Sequence, residues 1–240
     1  MTLENIETAI LRIIGYDYYA DLSTSTDSAK IADFAMLHRC VNMAREEMRI
    51  NCYIPALLAY TARIQTVAGT NEYTIPETDF DLPKKVFSIS VTNLIAGELE
   101  RINEQNFLNK VGTEDVPSDP PSYYEMLDST ADGISKIRLY PTPNAGGDYI
   151  FIKYLKVLAE ITTSTSEDIL MRKYSNTVIS LASAFAFQMI KKDDKNFATF
   201  MTLGRADFKN INVREANFDA SPDITVDSLL SNRRSDRRTI

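Results

Sequence analysis

The chain contains one histidine, His38, and two cysteines, Cys40 and Cys52, among 240 residues. Hydrolytic triads and most zinc sites use imidazole as base or ligand, so a single histidine leaves little room for either. Cys40 and Cys52 form no Cys-x-x-Cys pair and have no second histidine beside them, a spacing that fits neither a zinc site nor a redox motif. His38 falls inside a helical stretch and reads as a packing or surface residue. No Gly-x-Ser-x-Gly elbow supplies a nucleophile. Gly146-Gly147 lacks the lysine and Ser/Thr of a phosphate-cradling loop and lies between two strand-like segments, so it reads as a turn. Glu77, Asp79 and Asp81 lack the glycine and the closing glutamate of a calcium loop and read as a solvated acidic stretch. Glu46-Glu47 and Asp193-Asp194 are adjacent on helical segments and point apart, so neither pair can share a proton as a catalytic dyad does. Twelve tyrosines and eleven phenylalanines, without tryptophan, are not interleaved with lysine or arginine as a base-stacking surface requires. The clusters Tyr16, Tyr18, Tyr19 and Tyr123-Tyr124 read as core or interface anchors. The sequence therefore predicts no catalytic residue, no metal and no cofactor, and points to a surface that binds other proteins.

The elements that position these residues follow from composition and period. Hydrophobic residues are 44% and charged residues 25%, an ordinary globular balance that predicts a packed core. The length suits one sizeable domain or a domain with an insert. No run approaches the roughly 18 apolar residues of a membrane span. The opening Met1-Thr2-Leu3-Glu4-Asn5 carries an acid where a signal peptide carries bases, so a protein made and kept in the cytosol, or assembled there, is expected, and two unpaired cysteines suit that compartment.

Leu3, Ile6, Ile10, Ile13 and Ile14 recur at helical spacing between Thr2 as N-cap and Gly15 as stop. A second helix is predicted over 28–49 with the stripe Ile31, Phe34, Val41, Ala44 and Met48. The period then changes to two. Strands are predicted at 63–67 and 72–75, joined as a hairpin, then over 85–92 with 94–99 paired to it, at 123–127, and at 134–140 and 149–155 as a second hairpin. A short helix is predicted over 103–111. Helical period returns at 167–191, behind a capping pattern at Thr165 and Asp168, with Tyr174, Val178, Leu181, Phe185 and Met189 on one seam. A further helix after Asp193-Asp194 carries Phe197, Met201, Phe208 and Ile211 inward, antiparallel to its predecessor. The predicted fold is α+β. Residues 1–60 and 158–216 form a helical body, 61–157 an inserted antiparallel β module, and 217–240 an extended C-terminal tail.

Charge is uneven along this frame. The formal net charge is −7, yet the last nine residues carry +3 and the preceding 231 carry −10. A net acidic chain argues against a dedicated nucleic-acid binder. Residues 217–240 lack any period, and such an arm can order on a partner. Phe218, Ile224, Leu229 and Leu230 would be its apolar anchors. Arg233, Arg234, Arg237 and Arg238 present forks that match carboxylates, with DNA phosphate as the alternative partner and a solvated terminus as the bland alternative.

Three stretches resemble a known family. The first is Tyr73-Thr74-Ile75-Pro76, with Leu82-Pro83 and Val86. The second is Asp119-Pro120-Pro121-Ser122-Tyr123-Tyr124, leading to Ile137-Arg138-Leu139-Tyr140-Pro141-Thr142-Pro143 and the strand from Ile150 to Tyr154. The third is the closing helix pair, where Tyr174 and Leu181 lead to Ala182, Ala184 and Ala186. In this order they resemble the head-to-tail adaptor (neck or connector) proteins of tailed bacteriophages, short-tailed phages especially, over about residues 28–215. The resemblance implies a structural virion protein at the capsid vertex. It implies a ring, commonly of twelve copies, below the portal protein, extending the DNA channel and offering a platform to a tail or nozzle protein. Encapsidated DNA would pass without sequence-specific binding, no membrane is involved, and an acidic lumen would let the polyanion slide. Under this reading the C-terminal arm meets the portal, and Tyr123, Tyr124, Tyr140 and Asn144 meet the tail or a neighbouring subunit. The chain alone is expected to be a monomer or weak oligomer that closes on the portal. Other readings are a different tail or nozzle component, or, in another class, a small nucleic-acid- or ligand-binding module.

Overall fold

In a computed structural model of the chain, which describes residues 1–16, 26–77, 80–89, 96–103, 106, 120–127 and 135–219, the first apolar stripe behaves as its spacing dictates. Leu3, Ile6, Ile10, Leu11 and Ile14 are buried along one side of α1 (Leu3–Ile14). Thr2 precedes the helix in extended geometry, and Gly15 closes it at φ 82, where a residue without Cβ is favoured. The second helix, α2 (Ser28–Asn51), buries Leu37, Cys40, Val41, Ala44 and Met48. Ile31, expected in this stripe, is 50% exposed, because the buried side of α2 is filled only from Leu37 onward.

The helix expected over 167–191 is broken. A short α3 (Ile169–Lys173) starts on Asp168, whose carboxylate accepts from the Met171 backbone at 2.8 Å. The chain leaves helical geometry at Tyr174 (φ −130, ψ 34), whose hydroxyl donates to buried Glu215. It re-enters as α4 (Ser175–Ala186) and ends in a π-helical turn (Phe187–Lys191). Lys192 at φ 55 reverses the chain, and Asp193 accepts from the Asn196 backbone to start α5 (Asp194–Asp219). Phe185 meets Phe197, and Thr177 meets Asp207, so α4 and α5 run antiparallel. A Cβ at Gly204 would lie 2.5 Å from Leu181, so glycine sets how closely the two helices approach.

Met1–Pro55 with the chain from Glu160 form one compact unit, and Ala56–Ala159 form the other. The second holds the strands: β1 (Leu58–Tyr60), β2 (Ile64–Val67), β3 (Glu72–Thr74), β4 (Phe80–Ile89), β5 (Ala96–Glu98), β6 (Glu100–Arg101), β7 (Tyr123–Leu127), β8 (Lys136–Tyr140) and β9 (Gly146–Lys156). They make two sheets. One has the order β1-β9-β4-β5, with β2 also on β9; the other has the order β3-β8-β7-β6. β5 pairs with β4 as expected, Ser88 opposite Gly97. The predicted strand over 85–92 begins earlier, at Phe80, and carries Pro83 at an irregular register, where a missing N–H is tolerated. One pair, β6 with β7, is parallel.

Neither predicted hairpin forms. β2 pairs with β9 and β3 with β8, and β8 and β9 lie in different sheets. Both edges of β9 are occupied, by β1 and β2 on one side and β4 on the other, which leaves no edge for β8. The connection between β8 and β9 opens with a cis Tyr140–Pro141 bond, and the turn between β2 and β3 is held by the Tyr73 hydroxyl donating to Thr70 at 2.6 Å. Both links carry the chain from one sheet to the other. Thr61 joins β1 to β2 along β9, its N–H donating to Ile152 and its hydroxyl accepting from it, at 2.9 and 3.0 Å. The inward residues of the two sheets, among them Ile64, Tyr73, Val86, Tyr124, Ile137, Leu139, Ile150 and Ile152, form one core. Of the helix predicted over 103–111 only positions 103 and 106 are described, and residues 220–240 of the predicted tail lie outside the described residues.

The two adjacent glycines of β9 are under different constraints. A Cβ at Gly146 (φ 70) would lie 2.7 Å from the Ala68 backbone nitrogen, whereas Gly147 (φ 94) has open space. Gly147→Ala should cost only its backbone strain, on the order of 1–2 kcal/mol, and Gly146→Ala that strain plus displacement of the β2 end. Denaturant unfolding of both variants checks the ranking; equal losses would show that the close approach is not what the position requires.

Candidate interaction surface

The groups that could do chemistry are each held in the fold. Cys40 and Cys52 are buried, and burial pushes both thiols up to about 12, so they stay protonated and unreactive. His38 is drawn into a contact with Glu7 of α1 at 2.8 Å. Among the described residues no three His, Cys, Asp or Glu side chains are placed to hold a metal ion.

A polar cleft of about 280 Å³ lies between the start of α4 and α5, lined by Lys173, Tyr174, Thr177, Asp207, Asn210 and Arg214 among others. Its charges already answer one another. Glu215, 4% exposed, accepts from Lys173 and Tyr174 at 2.7 and 2.5 Å, and Thr177 donates to Asp207 at 2.9 Å. Burial alone would raise Glu215, but the bonds from Lys173 and Tyr174 outweigh it and hold the carboxyl below its usual range. The cleft knits α3, α4 and α5 together.

Of the residues expected to meet a tail or neighbour, two share a face. Tyr123 and Tyr140 are register partners on β7 and β8, on the side of that sheet away from the core. The next outward pair is Glu125 and Arg138, and Glu72 flanks it from β3. Arg138 ties this row together: it donates to Glu72 at 2.6 Å, to Glu125 at 3.2 Å and to the Tyr140 hydroxyl at 3.2 Å. The Arg138 bond holds Glu72 below the usual carboxylate range, while burial raises the Tyr140 phenol. Tyr140 is itself only 6% exposed, its hydroxyl engaged by Arg138 and Glu125, so what this face presents outward is half-buried Tyr123 beside a charged lattice of Glu72, Glu125 and Arg138. Tyr124 points the other way, into the core opposite Leu139, where burial raises its phenol. Asn144 is exposed on the connection between β8 and β9. Phe218 belongs to the last turn of α5, but its side chain lies outside the described residues, as do Ile224, Leu229, Leu230, Arg233, Arg234, Arg237 and Arg238. Sequence reasoning missed the Arg138 lattice; the alternation that placed Ile137 and Leu139 inward also places Arg138 outward, which was the available signal.

A family model described as SU10 adaptor protein matches residues 1–226. The match spans all three stretches that carry the resemblance to head-to-tail adaptors. No curated protein matches the chain.

The Arg138 lattice makes a prediction with a sign. Glu72 sits lower in the fold than in the unfolded chain, so its contribution is present above the ordinary carboxylate range and lost as pH falls through its folded value. Arg138→Ala should cost about 1 kcal/mol at neutral pH, a modest figure because the pair is partly solvated. The gap between variant and parent should narrow as pH falls toward 3. Urea midpoints measured across that range test it, and a gap that stays constant would show that Arg138 acts by packing alone.

Proposed function

The chain belongs to the SU10 adaptor protein family, and from that premise we propose that it is a structural head-to-tail adaptor of a phage virion, closing into a ring below the portal, extending the DNA channel and seating the tail or nozzle. The observation that carries this reading is the family match over residues 1–226, which takes in both compact units. A ring is built from heterologous contacts, one face of each copy against a different face of the next. Tyr123, Tyr140 and Asn144 are proposed as contacts to the tail or a neighbouring copy, with Tyr124 as the inward anchor of the same strand. Membership of a phage adaptor family supports a virion location, and no helix among the described residues is long and apolar enough to cross a membrane. Twelve copies, portal attachment, synthesis in the host cytoplasm and passage of DNA without sequence-specific binding belong to the same proposal.

The C-terminal arm is proposed as the portal contact. Its apolar residues would fill a groove while Arg233, Arg234, Arg237 and Arg238 meet carboxylates there in bidentate pairs. Deleting residues 217–240 should leave the body folded but abolish stable attachment to portal-bearing capsids, read by cosedimentation and imaging. Capsids that still carry a ring of the truncated protein and retain their DNA would sink the arm's role. The isolated full chain is expected to sediment as a monomer or weak oligomer. A stable ring at micromolar concentration without portal would reverse that order of assembly. Salt-dependent binding of the isolated chain to duplex DNA would instead favour a nucleic-acid module.

A further inference from the structure

Helix α1 is fastened at three places. At its start the Leu3 and Glu4 N–H groups donate to the carbonyls of Ser166 and Ser164 at 2.9 and 3.1 Å, and the Met1 ammonium meets Glu167 at 3.0 Å. Beyond its end the Tyr16 hydroxyl donates to Asp33 on α2 at 2.7 Å, and Lys191 lies 3.9 Å from the centre of the Tyr16 ring. Between them Glu7 is 0% exposed, and its Oε1 lies 2.8 Å from Nδ1 of His38 on α2. Neither carboxylate oxygen has a well-aligned hydrogen bond among the described residues, so the close contact with His38 is what answers the group. The middle fastening is therefore a buried carboxylate answered by the chain's sole imidazole.

The groups around His38 are acceptors. The Phe34 carbonyl is 3.3 Å from Nδ1, the Thr162 carbonyl is a further acceptor on the ring, and Glu7 supplies the third. Glu7 and the Phe34 carbonyl both face Nδ1, and the buried carboxylate favours the ring's protonated form. The Glu7 bond holds the ring above the ordinary histidine value of 6.5 against the opposing effect of burial. Among the described residues no other charge stands in for it. Helix α4, packed on both α1 and α2, has no ionisable residue along its length. Glu4 and Arg12 on α1, Arg39 on α2 and Glu160 beyond them are exposed. Asp33 is engaged by Tyr16, and Arg45 by Asp168 at 2.7 Å.

We propose that α1 is a proton-dependent latch, seated on α2, α4 and the 160–168 segment while His38 carries both of its ring protons, and released when the ring gives one up. Loss of that proton leaves a fully buried carboxylate without a counter-charge, and removing one partner of such a pair is strongly destabilising. Release uncovers the apolar side of α1 and the surface of α4 beneath it, a local two-state change of the kind that couples a protonation to an interface. The inference does not depend on the adaptor reading.

The sign follows from linkage. The seated state holds the proton more tightly than the released state, whose histidine has the ordinary value of 6.5. Below that value the latch is indifferent to pH. Above it the opening constant rises about tenfold per pH unit until the raised value of the seated ring is passed, then levels off. The Tyr16 phenol, pushed up to about 12, stays protonated throughout. The test is amide hydrogen exchange of the full chain from pH 6 to 9, expressed as protection relative to intrinsic rates, beside NMR titration of the single histidine. Protection of α1 should fall with the histidine's own midpoint while α4's inner amides hold, and Glu7→Gln should flatten the profile. A flat α1 profile in the parent chain overturns the proposal. So does a dependence that persists in Glu7→Gln, which would point to the Met1–Glu167 pair instead. Should Glu7→Gln fail to fold, the parent decides: a shared midpoint for ring and helix supports the latch, and separate midpoints overturn it.

Discussion

A helix of twelve residues without one charged side chain, α4, buries seven of them, and the helical unit is built around it. Thr177, Val178, Leu181, Ala182, Ser183, Ala184 and Ala186 are buried, facing α1, α2 and α5. Small residues let three neighbours approach one axis, and Gly204 does the same from the α5 side. What α4 cannot supply, its neighbours supply among themselves. Arg45 of α2 reaches Asp168 at the start of α3, and Asn42 donates to and accepts from the Ile161 backbone at 3.1 and 3.0 Å. Glu7, fully buried on α1, is answered in the same way from α2 by His38.

The strand unit solves the same problem with β9. Eleven residues long, it is paired along both edges and alternates inward Asp148, Ile150, Ile152 and Tyr154 with outward Tyr149, Phe151 and Lys153. Once both of its edges are taken, the strands next to it in sequence must find partners in the second sheet. The two corner links follow from that occupancy. The second sheet keeps its outer face polar through Arg138, so it is joined to the first through apolar residues on one side while presenting Tyr123 and charges on the other.

Period was legible in the sequence, and adjacency was not. The spacing of Leu3, Ile6, Ile10 and Ile14 is enough to make α1, and the alternation at Ile137 and Leu139 is enough to say which way β8 faces. Alternation says nothing about which strand lies alongside, since a hairpin and a corner between sheets present the same pattern; that is why two hairpins were expected where none forms. The break at Tyr174 escaped for a related reason. The seam through Tyr174 and Val178 continues across it, and the group that the Tyr174 hydroxyl meets at the break, Glu215, is 41 residues away. Ion pairs such as Glu7 with His38 or Arg45 with Asp168 carry no period at all, so their partners become visible only when the helices are placed. For the candidate surface, Tyr123 and Tyr140 were identified by residue type, whereas Tyr124 was assigned to the same face although adjacent strand residues must point apart.

The boundary of the family match separates two kinds of information. Residues 1–226 carry the features that hold both units together, and the arginine cluster at Arg233, Arg234, Arg237 and Arg238 lies beyond them. A core is specified by period and volume, which many sequences satisfy, so a shared body can be matched across a family. A docking segment is specified by complementarity to one partner, and its residues change when the partner does. Four arginines around one aspartate stand against a net charge of −7 for the whole chain. Their role must be argued from the carboxylates or phosphates they would meet, and the body's membership of an adaptor family does not transfer to them.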